Sequence, residues 1–202
     1  MRNNPIFKKV FGTEWDKLPP AFKKRYANRP FCDDELVVNG TLDVHMSRWI
    51  KILSPFLRLC GALLPYEGKD IPVTVRFNSD KHLDKIGFNR TFNFADKGAY
   101  QFQSRLDPIG GDRVVEFMRF GLGWLMRHHF DGEKVRMDHR GYIWRIGKLS
   151  IPLPMHLILG RAYATEQATS DNSFNLYFEI MHPLFGKVFG YDGQITITKV
   201  PE

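Results

Sequence analysis

The stretch Ile86-Gly87-Phe88-Asn89-Arg90-Thr91-Phe92-Asn93-Phe94, the break Asp96-Lys97-Gly98, and the stretch Tyr100-Gln101-Phe102-Gln103-Ser104-Arg105-Leu106 decide the fold. Apolar residues recur at every second position on both sides of the break. Only a strand, whose side chains alternate between two faces, turns that spacing into one apolar surface. The Asp and Gly of the break supply turn chemistry, so the two runs read as a hairpin.

The same grammar extends outward in both directions. Val73, Val75 and Phe77 precede the hairpin, and Phe174, Leu176, Phe178 and Ile180, then Ile195 and Ile197, close the chain. Asp107-Pro108-Ile109-Gly110-Gly111-Asp112, Asp131-Gly132, His139-Arg140-Gly141, Ser170-Asp171-Asn172-Ser173 and Tyr191-Asp192-Gly193 read as turns at hairpin-like intervals. Everything after Pro72 is therefore expected to form a long antiparallel meander. Such a sheet has to bury one face and hide its edges, so it should curl into a half-barrel or barrel-like form.

Before Pro72 the period changes. Ile6, Phe7, Val10 and Phe11 make a helical stripe with Thr13 as a candidate cap, and Pro19-Pro20 opens a second short helix carrying Phe22 and Tyr26. Leu36, Val38, Leu42, Val44 and Met46 form one face of a first strand. Ser47 then caps a longer helix, whose Ile50, Leu53, Leu57, Cys60 and Leu64 fall at helical spacing and which Ser54-Pro55 can kink. The fold class is α+β, mainly antiparallel β, with short N-terminal helices and one longer helix after the first strand. No linker, low-complexity tract or repeat divides the chain, which reads as a single domain over residues 1–202.

Composition sets the frame for function. The 202 residues are 43% hydrophobic and include 17 Phe, enough to build an aromatic core without metal or disulfide. Cys32 and Cys60 lie outside any metal-ligand spacing, and Met1-Arg2-Asn3-Asn4-Pro5 carries no apolar run like that of a secretory leader. The longest apolar segment, Trp49 to Leu64, is interrupted by Lys51, Pro55 and Arg58. A cytoplasmic protein with no transmembrane segment is expected. The net charge of +7 bears on encounter more than on partner identity. The basic runs, including Lys134, Arg136, Arg140, Arg145 and Lys148 interleaved with Tyr142 and Trp144, come without a recognition module, so nucleic acid is not expected as a partner. The helix from Trp49, with Arg48, Lys51 and Arg58, is read as core rather than as a membrane-surface helix.

Polar residues interrupt the buried face at three places: Arg90 between Phe88 and Phe92, Ser104 between Phe102 and Leu106, and Glu116 between Val114 and Met118. If strand register allows, Arg90 and Glu116 meet as an ion pair with Ser104 between them, since buried charge is costly unless paired or used. A β-bulge that turned Arg90 outward, or a purely structural pair, would be the bland alternative. His128, His129, Asp131, Asp138 and His139 cluster near one hairpin, but adjacent strand residues point to opposite faces, so no metal is expected. Phe120-Gly121-Leu122-Gly123-Trp124 lacks the third glycine and the helix of a dinucleotide fingerprint, and no nucleophile elbow or phosphate loop is present. No catalytic residue or cofactor is assigned. Glu116 and Glu166 are acid or base candidates without a partner at catalytic spacing.

Phe11-Gly12 with Trp15, Leu18-Pro19-Pro20, Gly40, Arg90-Thr91-Phe92, Phe102-Gln103-Ser104, Glu116, Ile151-Pro152-Leu153-Pro154, Glu166, Pro183-Leu184-Phe185-Gly186 and Tyr191-Asp192-Gly193 occur in an order that resembles the uncharacterised bacterial family known as domain of unknown function 4166. The resemblance spans nearly the whole chain. Members of that family look like stand-alone proteins or appendages to nicotinamide-dependent oxidoreductase-like domains. The resemblance thus implies an accessory role with an oxidoreductase partner and carries over no activity. The residues themselves favour a non-enzymatic binding module for a hydrophobic or amphipathic anionic small molecule, held by Arg90, Ser104 and Glu116 in an aromatic-lined sheet pocket. A pocketless protein-interaction domain is the alternative.

Overall fold

A computed structural model describes residues 4–201. Residues 1–3, part of the N-terminus read above for a leader, lie outside them. Helix α1 (Ile6–Phe11) leads through a 3₁₀ turn (Gly12–Lys17) to α2 (Pro20–Arg25), which has a proline in its first turn as expected. Thr13 falls inside the 3₁₀ turn and caps nothing. Strand β1 (Glu35–Met46) follows, then α3 (Arg48–Leu59), where the Ser47 side chain accepts the Ile50 N–H. Pro55 is accommodated inside α3, and the helix ends five residues before Leu64, where Gly61 takes a left-handed turn at φ +58°.

The remaining strands are β2 (Gly68–Ser79), β3 (Ile86–Phe94), β4 (Gly98–Gly110), β5 (Arg113–Phe117), β6 (Leu122–Phe130), β7 (Lys134–Ile146), β8 (Leu149–Leu153), β9 (Arg161–Ala168), β10 (Ser173–His182) and β11 (Gly186–Lys199). All pairings are antiparallel. Pairing β1–β11 at one side and β6–β7 and β7–β9 at the other closes ten strands into a barrel, with β8 added along the end of β7 beyond the reach of β9. Full closure removes the edge that a half-barrel would leave open. Beyond β2 the only helical turns among the described residues are 3₁₀ pieces of three residues, Arg119–Gly121 and Met155–Leu157.

Two expected turns are strand instead, and of Asp107-Pro108-Ile109-Gly110-Gly111-Asp112 only Gly111-Asp112 turns, because β4 continues to Gly110. Tyr191-Asp192-Gly193 lies in the middle of β11, paired on both sides. Gly193 is there because a Cβ would stand 2.1 Å from the Thr41 carbonyl oxygen, so the glycine serves close backbone approach and not reversal. His139-Arg140-Gly141 is a bulge in β7, where the register against β6 slips between Leu125 and Met126.

The helices close the barrel ends. Phe7, Phe11, Phe22 and Tyr26, all buried, reach from α1 and α2 into one end, where Phe22 meets Phe130 and Phe174 with ring centroids 6.5 and 6.2 Å apart. α3 lies at the opposite end, where it buries Ile50 and Leu57. No helix of the described residues is long and apolar enough to cross a membrane.

Candidate functional site

Strand parity brings Arg90, Ser104 and Glu116 together inside the barrel. Ser104 pairs with Phe88, Arg90 with Phe102, and Glu116 with Leu106 on one side and Trp124 on the other. Arg90 Nη2 donates to Ser104 Oγ at 2.6 Å and to Glu116 Oε1 at 2.5 Å, and Ser104 Oγ donates to the same carboxylate oxygen at 2.6 Å. The guanidinium is sandwiched between the rings of Phe88 and Phe102, 3.7 and 3.8 Å from their centroids. Arg90 is 4% exposed and Glu116 8%, so the pair is desolvated and its geometry is what makes it tolerable.

This layer borders two adjoining hollows of about 60 and 70 Å³. Arg90, Glu116, Trp124, Phe178 and Tyr191 border both. The first hollow faces the α3 end, with Leu63, Leu64, Met155 and Leu159 in its wall, and the second faces α1 and α2. Because ~10–15 Å³ admits one water, each hollow takes a few waters or a short aliphatic chain.

A second polar cluster, which sequence reading did not assemble, stands at the far wall of the second hollow. Arg25 Nη2 lies 3.4 Å from Glu166 Oε1, and Tyr26 Oη donates to Glu166 Oε2 at 2.6 Å. Burial first, then the Glu166 charge, pushes the Tyr26 hydroxyl well above its usual range, so it stays a donor. Arg25 also lies 3.7 Å from the centroid of the Phe77 ring. Beside the cluster His128 is fully desolvated. Burial, reinforced by the Arg25 charge, pushes its imidazole down to about 3, so it is neutral near pH 7. His129 faces the other side of β6, with Nδ1 3.6 Å from Asp138 Oδ2. Among the described residues no three His, Cys, Asp or Glu side chains are grouped to hold a metal ion.

Two Arg and two Glu balance the interior charge, yet the hydrogen bonding does not balance. Arg90 Nε, Trp124 Nε1 and His128 Nδ1 are buried without a partner. A buried N–H with no acceptor costs about 1–3 kcal/mol, so the orphaned donors of Arg90 and Trp124, both in the wall of both hollows, suit an acceptor-bearing guest. Tyr191, whose hydroxyl is pushed up to about 12 by burial, completes that wall. Trp124 was hidden in the sequence by the glycines around it, and Tyr191 by its reading as a turn residue. Their inward parity on β6 and β11 was the available signal.

The sequence model of a family described as "Domain of unknown function (DUF4166)" matches residues 18–195. No curated protein matches the chain. Among solved structures, the dehydratase domain of the polyketide PpsC from Mycobacterium tuberculosis aligns at 7% identity, covering 93% of this chain and 84% of that one, with a TM-score of 0.19. The dehydratase domain from the CurF module of curacin polyketide synthase aligns at 8% identity over 81% and 77%, with a TM-score of 0.17. Similarity at this level bears on neither fold nor activity.

Proposed function

Because the chain belongs to the DUF4166 family, whose description assigns no activity, we propose its role from the barrel interior: it is a non-enzymatic binding module for a small, largely apolar molecule with an anionic, acceptor-rich head group. The observation that carries this reading is the pair of unpartnered buried donors, Arg90 Nε and Trp124 Nε1, in the wall of an otherwise apolar hollow. A carboxylate there accepts two N–H bonds, one of them charge-assisted, and its chain fills space lined by Phe178, Ile180 and Phe189.

Volume narrows the expectation drawn from sequence. The two hollows together approach the ~150 Å³ known to admit a benzene-sized molecule, so the guest is a short acid rather than a long-chain lipid. Glu116 tempers the preference for an anion because it already neutralises Arg90. The guest shares the guanidinium with Glu116 through Nε rather than displacing it.

Titration calorimetry with hexanoate and hexan-1-ol tests the reading. Wild type is expected to bind both, the acid more tightly. The double substitution Arg90→Met with Glu116→Leu removes the pair without stranding either charge. It should weaken hexanoate by about tenfold or more and leave the alcohol nearly unchanged. Folded wild type that takes up neither ligand at its solubility limit would overturn the proposal and favour a pocketless domain that docks onto an oxidoreductase.

A further inference from the structure

The surface is not uniform. Of the ten most exposed large apolar side chains among the described residues, eight belong to the segments that form the α3 end of the barrel, and the other two, Ile146 and Leu149, flank the β7–β8 turn at the same end. The eight include Ile52, Phe56 and Leu59 on α3, Phe120 before β6, Leu157 before β9 and Leu184 in the β10–β11 turn, the last 81% exposed. The sequence reading of α3 as a core helix is therefore half right. Ile50 and Leu57 are buried, and the opposite stripe of the same helix is left in water. Clustered exposure on this scale marks an interaction surface.

Charge says which kind. The segments that form this end, residues 47–67, 95–97, 118–121, 147–148, 154–160 and 183–185, carry six basic residues (Arg48, Lys51, Arg58, Lys97, Arg119, Lys148) against Glu67 and Asp96. All six bases are exposed, and Glu67 is held by Lys51 at 2.5 Å. α3 has no acidic residue. Ile52, Phe56 and Leu59 project from α3, and the other apolar side chains project from separate turns around the barrel mouth. Projecting apolar tips ringed by Lys and Arg match an interface whose interior is hydrocarbon and whose surface is negative.

We infer that the α3 end of the barrel docks onto anionic lipid surfaces, with Ile52, Phe56, Leu59 and the neighbouring tips inserted to the headgroup boundary. The loops that carry the tips also supply Leu63, Leu64, Met155 and Leu159, the wall of the hollow nearest this end. Docking would thus present the barrel mouth to an apolar reservoir. The inference rests on the surface and holds whether or not the interior binds a ligand.

Flotation of the full chain with liposomes is the test. Wild type should float with vesicles of phosphatidylcholine containing phosphatidylglycerol and remain behind with phosphatidylcholine alone, and raised salt should release it. Arg58→Ala should weaken binding about fivefold. Ile52→Ser with Phe56→Ser and Leu184→Ser should abolish flotation, and an unchanged thermal midpoint is expected because all three side chains are already exposed. Wild type that ignores anionic vesicles overturns the inference. So does flotation unaffected by the triple substitution. A concentration-dependent dimer that the triple substitution dissolves, without vesicle binding, assigns the face to a second copy and also overturns it.

Discussion

Glu116 concentrates the chemistry of the interior in one carboxylate, since it accepts from both Arg90 and Ser104 while bordering both hollows. Glu116→Gln keeps the shape and removes the charge. It leaves the Arg90 guanidinium buried without a counter-ion, a loss of about 3 kcal/mol or more in the free protein. The same change turns Arg90 into a stronger anion site. Hexanoate should therefore raise the melting temperature of Glu116→Gln by more than that of wild type, as read by calorimetric scanning. His128 carries a second prediction. Its folded pKa, near 3, lies below its ordinary value of 6.5, so the unfolded chain binds the extra proton between those pH values. The neutral imidazole's contribution is intact above pH 6.5 and is lost as pH falls toward 3. His139, lowered to about 4 by burial, acts in the same direction. His128→Leu should flatten the fall in melting temperature between pH 6.5 and 4. Of these residues, Arg90, Ser104 and Glu116 were legible in the sequence because each broke an apolar alternation. His128 was visible only as part of a histidine cluster, since nothing local says which of two adjacent strand residues faces inward.

At the scale of elements, α2 is joined to the barrel wall by Arg25, which meets Glu166 on β9 across 140 residues of chain together with Tyr26. Arg25→Met keeps most of the apolar stem over Phe77 and strands Glu166. A loss of about 3–5 kcal/mol is expected in urea unfolding, and adding Glu166→Leu should recover much of it; full additivity of the two changes would contradict the coupling. This cluster could not be read from sequence because it depends on where a helix lands on a closed sheet. The strands themselves were readable from alternation, and α2 from its proline pair. Readings failed where glycine had two meanings. At Gly193 it permits the close approach of β1 and β11, and at Gly141 it forms a bulge, yet both resembled turns. The end of α3 was misplaced because Cys60 and Leu64 continue the apolar pattern of the helix, although Leu64 lies in the irregular wall of the barrel mouth.

For the whole molecule, closure is what gives the interior its properties. A half-barrel would leave Arg90 and Glu116 partly wet, whereas ten strands joined in a ring, with α1 and α2 across one end, hold them in a low-dielectric space where charge-assisted bonds strengthen. The sequence indicated a curled sheet, half-barrel or barrel-like, without choosing between the two, because the pairing of β1 with β11 and of β6 with β7 is a matter of register over long separations. Nor could phenylalanine content distinguish a filled core from one that keeps two small hollows. An acceptor-bearing guest in this interior would be felt first at the Trp124 indole. Trp49 and Trp144 donate to the carbonyls of Ile158 and Phe120, while the Trp124 N–H is buried with no acceptor. In nitrogen-15 correlation spectra titrated with hexanoate, the indole resonance assigned by its loss in Trp124→Phe should move downfield and saturate while those of Trp49 and Trp144 stay fixed. A Trp124 resonance that does not move up to the solubility limit of the acid would mean that no such guest reaches the indole and that the interior is not its binding site.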